Sequence, residues 1–243
     1  MNGRCLFCFA FVMLPLSVSE LAEMPTFNSL EEIHLSQLLD RHRETSHQPD
    51  QVIVMEQDWG ESLFLIRTGL AKVRTYSVDG DEVVMSLLGA GDIFGEMAAL
   101  DRAARSADVV ALTPLRLVKL RAAPFSALLT SQPGFALALA RLEASRLRDL
   151  NQRFVLQSAD ATTRLLDALA YLARKSSAAN DPQAAIPVLA QREIALLAGL
   201  ARETASRTLS KLRTRGTVVA AEDGAYTIAD LKPLVRRGLL PSV

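Results

Sequence analysis

Near its C-terminal end, at residues 189–213, the 243-residue chain reads LAQREIALLAGLARETASRTLSKLR. Gly199 separates two segments, residues 191–198 and 202–212, whose apolar side chains recur at the spacing of an α-helix. A glycine permits the backbone conformation that a tight turn between two helices requires. The stretch therefore predicts a helix-turn-helix.

The second of these helices has two distinct faces. Ala205, Leu209 and Leu212 recur at i, i+4 and i+7, and we expect them to pack inward. A different face carries Arg202, Glu203, Ser206, Arg207 and Ser210. Arginine can donate two hydrogen bonds to guanine, glutamate can accept one from cytosine, and serine can bond either a base or a phosphate. This face predicts readout of the major groove of double-stranded DNA.

The residues around this helix support the same interpretation. Two short β-rich segments, residues 217–219 and 226–228, flank an Asp-Gly turn and predict a hairpin that forms a wing. The whole chain is neutral, but residues 160–243 hold 12 basic and 8 acidic residues, a net charge of +4. The alternative is a solvated basic helix in an ordinary bundle, which does not account for the turn glycine and the hairpin in this order.

Short β-rich runs dominate the middle of the chain. They lie at residues 52–54, 63–66, 71–76, 83–85, 109–112 and 115–120. Turn residues separate them, and this spacing predicts a small antiparallel sandwich or barrel. An amphipathic helix is predicted before it, at about residues 26–44. A further helix, at about residues 161–174, precedes the helix-turn-helix.

A long helix is predicted between the β-rich region and the C-terminal domain, at residues 133–158. Five apolar residues follow one 3.5-residue period there, interrupted by Glu143. These residues are Ala136, Ala140, Leu147, Leu150 and Phe154. A helix of this length spans roughly 35 Å and suits a dimer interface. The alternative, a helix packed on its own domain, stays open.

The N-terminal residues resemble a signal peptide, because Arg4 precedes an apolar run. The run is too short to cross a bilayer, and no convincing cleavage site follows it. We expect residues 1–25 to be a disordered extension or the product of an over-long gene start, with Met24 as one candidate true start. Cys5 and Cys8 are the only cysteines, too few for a four-ligand zinc or iron–sulfur site, and no metal site is predicted.

Residues 189–213 resemble the helix-turn-helix of the Crp–Fnr superfamily, whose recognition helix opens R-E-T-x-[SG]-R. The resemblance implies that Arg202, Glu203 and Arg207 read bases in a half-site containing TGA. The predicted DNA-binding residues are Gln191, Arg202, Glu203, Ser206, Arg207 and Lys211. Ala201 departs from the family, which often has Ser or Thr there, and the lost helix cap costs about 1 kcal/mol.

The resemblance extends over residues 26–158. The stretch from Phe94 to Leu100, followed by Arg105-Ser106-Ala107, resembles the phosphate-binding cassette of cyclic-nucleotide domains. There the glutamate holds the ribose 2′-hydroxyl and the arginine pairs with the cyclic phosphate. The predicted ligand-binding residues are Gly95, Glu96, Met97, Arg105, Ser106 and Asn151. The alternative is a retained Glu96–Arg105 ion pair without a ligand.

Two departures concern this cassette. Leu150 and Asn151 fall near the place where nucleotide-binding regulators have a Thr-Ser pair that contacts the purine. Gln57-Asp58 stands where the family usually has Gly-Asp at a turn. An asparagine can still hydrogen-bond a purine edge.

The resemblance implies an α+β fold in three parts, with the N-terminal extension before them. They are a cyclic-nucleotide-binding-type β-roll (26–132), a dimerisation helix (133–158) and a winged helix-turn-helix (159–243). The implied function is that of a cytoplasmic, homodimeric transcription regulator under allosteric control by cAMP or cGMP. Its partners would be palindromic double-stranded DNA and RNA polymerase, with no membrane. The alternative is a regulator of this type whose β-roll binds no nucleotide.

Other function classes fit the sequence less well. The chain shows no Ser/His/Asp arrangement and no Gly-rich nucleotide loop, so an enzyme is not predicted. A haem sensor needs an axial ligand in the β-roll, whereas the three histidines all precede its main part.

Overall fold

The computed structural model describes residues 15–241. The apolar run at residues 5–14 and both cysteines lie outside the described residues, so the expectations for them stay untested. Within the described residues, the chain forms a β-domain, a long helix and a helical C-terminal domain. No helix in this part of the chain is long and apolar enough to cross a membrane.

The β-domain consists of two four-stranded antiparallel sheets, as the strand spacing predicts. The strands are β1 (Arg43–His47), β2 (Val52–Val54), β3 (Ser62–Thr68), β4 (Ala71–Tyr76), β5 (Glu82–Leu88), β6 (Ile93–Phe94), β7 (Asp108–Ala111) and β8 (Leu115–Arg121). One sheet has the order β1-β8-β3-β6 and the other β2-β7-β4-β5. Strand β5 therefore lies at the edge of its sheet.

Strand β3 is apolar on both faces because each face is covered. Leu63 and Leu65 pack against the helices outside the sheet. Phe64 and Ile66 point the other way, into the core of the β-domain. Alternate side chains of a strand point to opposite faces, so a continuous apolar run marks a strand that is buried on both sides.

The N-terminal helices correct two predictions. Helix α1 (Val18–Ala22) begins at a Ser17 capping box, and Leu16 and Leu21 are buried against the β-domain. The expectation that residues 1–25 are disordered is therefore wrong for residues 15–25, because their leucines find an apolar surface that the sequence alone does not reveal. Helix α2 (Glu32–Leu39) is shorter than predicted.

The segment after α2 is strand β1, although the apolar spacing predicts a helix up to about residue 44. It pairs antiparallel with β8, with Thr45 opposite Leu117. Backbone pairing along this edge outweighs the weak helical spacing of the side chains.

Helices follow and link the strands of the β-domain. They are α3 (Glu96–Asp101), α4 (Ala122–Ser131) and the long α5 (Pro133–Leu156). Phe135 and Leu139 of α5 are buried in the β-domain. Further along, Leu147 is 58% exposed and Phe154 is 73% exposed. The predicted dimer-interface residues on this part of α5 are thus open to solvent within one chain.

The C-terminal domain, residues 159–241, agrees closely with the prediction. It contains α6 (Ala161–Ser176), α7 (Gln191–Leu197), α8 (Arg202–Thr214), β9 (Val218–Ala220), β10 (Tyr226–Ile228) and α9 (Lys232–Arg236). Gly199 has φ of +58°, and a Cβ there would lie 2.4 Å from Nη2 of Arg164. The backbone angle of the turn between α7 and α8 therefore favours glycine, and a side chain here would also shift the tip of Arg164.

The C-terminal domain packs against the β-domain. Leu70, Val84 and Leu87 share one apolar core with the leucines of α6 and α7. The hydroxyl of Tyr171 on α6 accepts a hydrogen bond from the Leu87 backbone N–H at 3.2 Å. This contact covers the free edge of β5, which would otherwise expose unpaired backbone groups.

Candidate functional site

A cavity of about 330 Å³ lies among α3, β5, α5 and α6. Five of the six predicted ligand-binding residues line it. They are Gly95, Glu96, Met97, Arg105 and Ser106. The fold thus joins the two halves of the cassette, although eight residues separate Glu96 from Arg105 in the sequence. Among residues 15–241, no group of three or more His, Cys, Asp or Glu side chains could hold a metal ion.

Arg105 is anchored beneath the cassette by backbone carbonyls. Its Nη1 donates to Gly95 O at 2.7 Å, and its Nη2 donates to Ser62 O at 2.5 Å and to Gly60 O at 3.4 Å. Burial lowers the pKa of Arg105, against the attraction of nearby Glu96. Three carbonyls leave part of the five-donor guanidinium available to a further acceptor.

Gly95 makes this anchoring possible. It caps the N-terminus of α3 with φ of +82°. A Cβ at this position would lie 2.6 Å from Nη1 of Arg105. Any side chain would therefore displace the arginine, as well as strain the backbone.

Glu96 is 3% exposed and pairs with Arg146 of α5, at 2.8 Å from Nη1 to Oε1. The same Nη1 lies 3.0 Å from a carboxylate oxygen of Glu143. Burial raises the pKa of Glu96 to about 7, although Arg146 acts in the opposite direction. The second oxygen, Oε2, is buried and has no hydrogen-bond partner among the described residues. An unpaired acceptor of this kind is costly, and a ligand donor would satisfy it.

The ion pair proposed between Glu96 and Arg105 does not form. Within residues 15–241, Glu96 pairs with Arg146, and no carboxylate lies within 4.0 Å of the Arg105 guanidinium. The physical reason is that α5 passes over the cassette and brings its own arginine to the carboxylate.

Asn151, the sixth predicted ligand residue, does not line this cavity within one chain. It is exposed and borders a second cavity of about 520 Å³ near the α7–α8 turn. Helix α5 lines the first cavity with six residues, and Asn151 is not among them. They are Glu143, Arg146, Leu147, Asp149, Leu150 and Arg153. Leu150 therefore faces the cavity, and Asn151 is turned away from it by about 100° of helix.

Sequence reasoning missed several polar residues of the cavity wall, among them Arg146, Tyr171 and Lys175. Arg146 carries a weak signal, because it follows Glu143 at i+3 on one helical face. Tyr171 and Lys175 come from α6 and carry none, because only the packing of the C-terminal domain brings them here. Lys175 pairs with Asp92 at 2.8 Å, and the guanidinium of Arg153 lies 5.4 Å from the centre of the Tyr171 ring.

The Gln57-Asp58 departure has a structural consequence. Gln57 adopts φ of +67°, a left-handed conformation that glycine takes at no steric cost. The Gln57 N–H donates to Arg105 O, and Arg105 N–H donates to Asp58 O. This turn therefore holds the backbone of the cassette arginine, despite the strain of a non-glycine residue.

The surface of α8 is divided as the sequence predicts. Ala205, Leu209 and Leu212 are buried, and Thr208 joins them. Arg202, Glu203, Arg207 and Lys211 are exposed and Ser206 is half-buried; Gln191 is exposed at the start of α7. The structure therefore leaves this predicted DNA-binding set accessible from outside the domain.

The basic residues of this surface are free of protein counter-charges. Within the part of the chain that the structure describes, none of them forms an ion pair within 4.0 Å. They are Arg202, Arg207, Lys211, Arg213 and Arg215. Ala201 caps α8 without a side-chain hydrogen bond, as the sequence predicts. Unpaired, exposed cations are what contact with a phosphate backbone requires.

Two family models match the chain. A cyclic nucleotide-binding domain matches residues 44–132, and a Crp-like helix-turn-helix domain matches residues 163–237. These ranges coincide with the β-domain that holds the cassette and with the domain that presents α8.

Similar proteins span nearly the whole chain. The "Cyclic AMP receptor protein" of Thermus thermophilus is 32% identical over 195 residues, which cover 80% of this chain and 88% of that protein. A "CRP-like cAMP-activated global transcriptional regulator" of Mycobacterium tuberculosis is 26% identical over 219 residues, which cover 89% of this chain and 97% of that protein.

The fold also matches solved structures. FixK2 from Bradyrhizobium japonicum superposes with a TM-score of 0.70 at 20% identity, covering 83% of this chain and 98% of that one. The predicted α+β fold, with a β-domain, a long helix and a winged helix-turn-helix, is thus confirmed. The chain belongs to the Crp family of transcription regulators, with a cyclic nucleotide-binding domain followed by a Crp-like helix-turn-helix.

Proposed function

We propose that the protein is a homodimeric, cytoplasmic DNA-binding regulator whose β-domain binds a cyclic nucleotide and thereby controls the helix-turn-helix. Residues 26–132 form the sensor, residues 133–158 the dimerisation helix and residues 159–243 the DNA-binding domain; the packed segment 15–25 belongs with the sensor. RNA polymerase is the proposed partner at the promoter.

The observation that carries the nucleotide part is the unpaired Oε2 of Glu96 in the cavity that Arg105 also lines. A ribose hydroxyl is a neutral donor of the size and type that this oxygen lacks. A cyclic phosphate would take the donors of Arg105 that the three carbonyls leave free, together with the exposed hydroxyl of Ser106. A volume of about 330 Å³ lies within the usual range for small-molecule sites.

The relatives point to the same ligand class. The Thermus thermophilus protein is named for cyclic AMP, and the Mycobacterium tuberculosis protein is named as cAMP-activated. We therefore propose cAMP as the first effector to test and cGMP as the second.

The DNA part of the proposal rests on the exposed cations of α8 and on the apolar side chains of α5. Leu147 and Phe154 lie open to solvent within one chain, and a second copy would cover them. Two copies would present two recognition helices to half-sites about 34 Å apart, one turn of DNA. We propose a palindrome with TGA in each half-site.

A second candidate is a regulator of the same kind whose cavity binds no nucleotide. The orientation of α5 favours it, because the apolar Leu150 faces the cavity and Asn151 does not. With the apolar Leu150 at this position, a purine base finds less specific recognition there.

Isothermal titration calorimetry with cAMP and cGMP separates the two candidates. Binding heat at micromolar ligand that disappears in Arg105→Ala and weakens in Ser106→Ala supports the sensor. No heat with either nucleotide in folded wild-type protein leaves the second candidate.

The matched control for Arg105→Ala is Arg102→Asn. Arg102 is exposed and does not line the cavity, and its φ of +56° is one that asparagine tolerates. The Arg102→Asn variant removes the same charge near the cassette and should leave the binding heat unchanged. A thermal melt of each variant shows whether its fold is intact.

A further inference from the structure

A buried ammonium group joins the β-domain to the C-terminal domain. Lys72 of β4 is 2% exposed. Its Nζ lies 2.6 Å from Oε1 of Glu82 on the neighbouring strand β5. The same Nζ lies 2.5 Å from Oε2 of Glu193 on α7, the first helix of the helix-turn-helix. One lysine therefore binds one carboxylate from each domain.

The charges around this lysine balance within each domain. The β-domain contributes Lys72, Arg74, Glu82 and Asp108, and the C-terminal domain contributes Arg192 and Glu193. Each set is neutral by itself, so separation of the domains leaves no net charge on either surface. Leaving a fully buried ion without a partner would cost considerable free energy. Lys72 keeps Glu82 after separation, and Glu193 returns to water.

The ion pair adds to the apolar core that the two domains share. The attraction between buried charges is largely offset by the cost of removing them from water, so the ion pair itself contributes a modest net free energy. The domains therefore separate only when another contact is gained that offsets both contributions.

The docked position engages a cation beside the predicted DNA-binding set. Arg192 lies 3.1 Å from Glu82 of the β-domain. Gln191, at the start of the same helix, belongs to the predicted DNA-binding set. A phosphate backbone that approaches α7 would therefore compete with the Glu82 carboxylate for Arg192.

We propose that the Lys72–Glu193 ion pair is a latch that holds the DNA-binding domain against the sensor in a state of low DNA affinity. Opening the latch releases Arg192 from Glu82 and frees the domain to follow the spacing of two half-sites. The inference rests on the proposed function, since it assigns the docked state to the protein without effector.

The edge of β5 provides a readout of the latch that does not involve DNA. The Leu87 N–H donates to the hydroxyl of Tyr171 on α6, within the same domain contact as Glu193. When the domains separate, this amide loses its partner and exchanges its hydrogen with solvent faster. Hydrogen-exchange mass spectrometry of the β5 peptide therefore measures docking directly.

The experiment compares wild-type protein with Glu193→Gln, which keeps the shape of the side chain and removes its charge. We expect faster exchange at Leu87 and DNA affinity without nucleotide raised by about fivefold or more, the lower range of allosteric coupling. Glu193→Asp keeps the charge on a shorter side chain and should give an intermediate result in a protein that folds. Asp181→Asn, an exposed carboxylate of the same domain, is the control and should change neither quantity.

If the Leu87 amide exchanged at the wild-type rate in both Glu193→Gln and Glu193→Asp, the proposal of a latch would be overturned. Faster exchange with unchanged or weaker binding to a duplex that wild-type protein binds would overturn its role in DNA affinity. If wild-type protein binds no duplex at all, the proposed function fails, whereas the exchange result still reports whether the ion pair holds the domains together.

Discussion

The sensor cavity and the DNA-binding face both depend on charged side chains, but they hold them in opposite ways. In the cavity, Glu96 and Arg105 are 3% and 7% exposed and are already engaged by protein groups. On α8, Arg202, Arg207 and Lys211 are exposed and form no ion pairs within the described residues. The charged groups of the cavity are buried, whereas those of α8 are exposed to solvent.

This difference has consequences for binding. A ligand that enters the cavity must compete with groups that the protein supplies, so its net affinity is a difference between two sets of contacts. A phosphate that approaches α8 displaces only water and mobile ions, so its affinity depends steeply on salt. Substitutions in the two regions should therefore differ in what they change: stability and its pH dependence in one, DNA affinity in the other.

The largest expected effect comes from Arg146→Met. The variant removes the cation paired with the buried carboxylate of Glu96, and loss of one partner of a buried pair costs about 3–5 kcal/mol above neutral pH. The pKa of Glu96 is already raised to about 7 from its usual 4.5, so the folded state binds the proton more tightly than the unfolded state does. Stability from this group is present at low pH and is lost as pH rises through that range.

Urea unfolding of Arg146→Met at about pH 8 and about pH 5 measures this effect, and the loss should be much smaller at the lower pH. Arg148→Met, at an exposed position on the same helix, is the control and should cost less than 1 kcal/mol or so at both. An equal loss at the two pH values would contradict the assignment of the buried charge to Glu96.

The same contrast explains what the sequence could predict. The face of α8 depends on helical periodicity, which is local, so its buried and exposed residues follow from spacing alone. The turn at Gly199 and the wing hairpin are equally local. The cassette from Gly95 to Ser106 is found by resemblance, because its residues lie close together in sequence.

The partners of the cavity could not be predicted in this way. Arg146 lies 50 residues from Glu96, and Tyr171 and Lys175 enter from another domain. Asn151 was chosen by register along α5, and a shift of one residue turns a side chain by about 100°. The buried Leu16 and Leu21 were missed because an apolar segment reads the same whether or not the fold provides a surface for it. Long-range packing, not local pattern, decides each of these cases.

On the DNA-binding face, Arg207→Ala should weaken specific binding by about 1–3 kcal/mol and relax the preference at one base. Fluorescence anisotropy with palindromic TGA duplexes and single-base variants measures both changes. We propose that Lys211 contacts phosphate, so Lys211→Ala should instead weaken binding to all duplexes alike and reduce the salt slope by about 1.

Arg236→Ala removes an exposed cation of the same domain outside the helix-turn-helix and is the control for both variants. It should leave the base preference unchanged. If Arg207→Ala left the ranking of the duplexes intact, Arg207 would be a phosphate contact and not a base contact. Neither variant should alter the pH dependence of stability, which belongs to the cavity.

The smallest effect is expected where the DNA-binding face begins. Ala201 has the extended backbone of an N-cap, with φ of −59° and ψ of 143°, but no side-chain acceptor for the first N–H groups of α8. Ala201→Ser should stabilise the domain by about 1 kcal/mol, because the hydroxyl can accept one of these hydrogen bonds. Thermal unfolding measures the gain.

Ala190, the N-cap of α7, has nearly the same backbone angles and also lacks a side-chain hydrogen bond. Ala190→Ser should therefore give a similar gain, and it controls for the effect of a cap in this domain. A gain at Ala190 without one at Ala201 would mean that the start of α8 has no unsatisfied donor for a serine to bind. If both variants were more stable and only Ala201→Ser bound DNA more tightly, the new hydroxyl at position 201 would also contact phosphate.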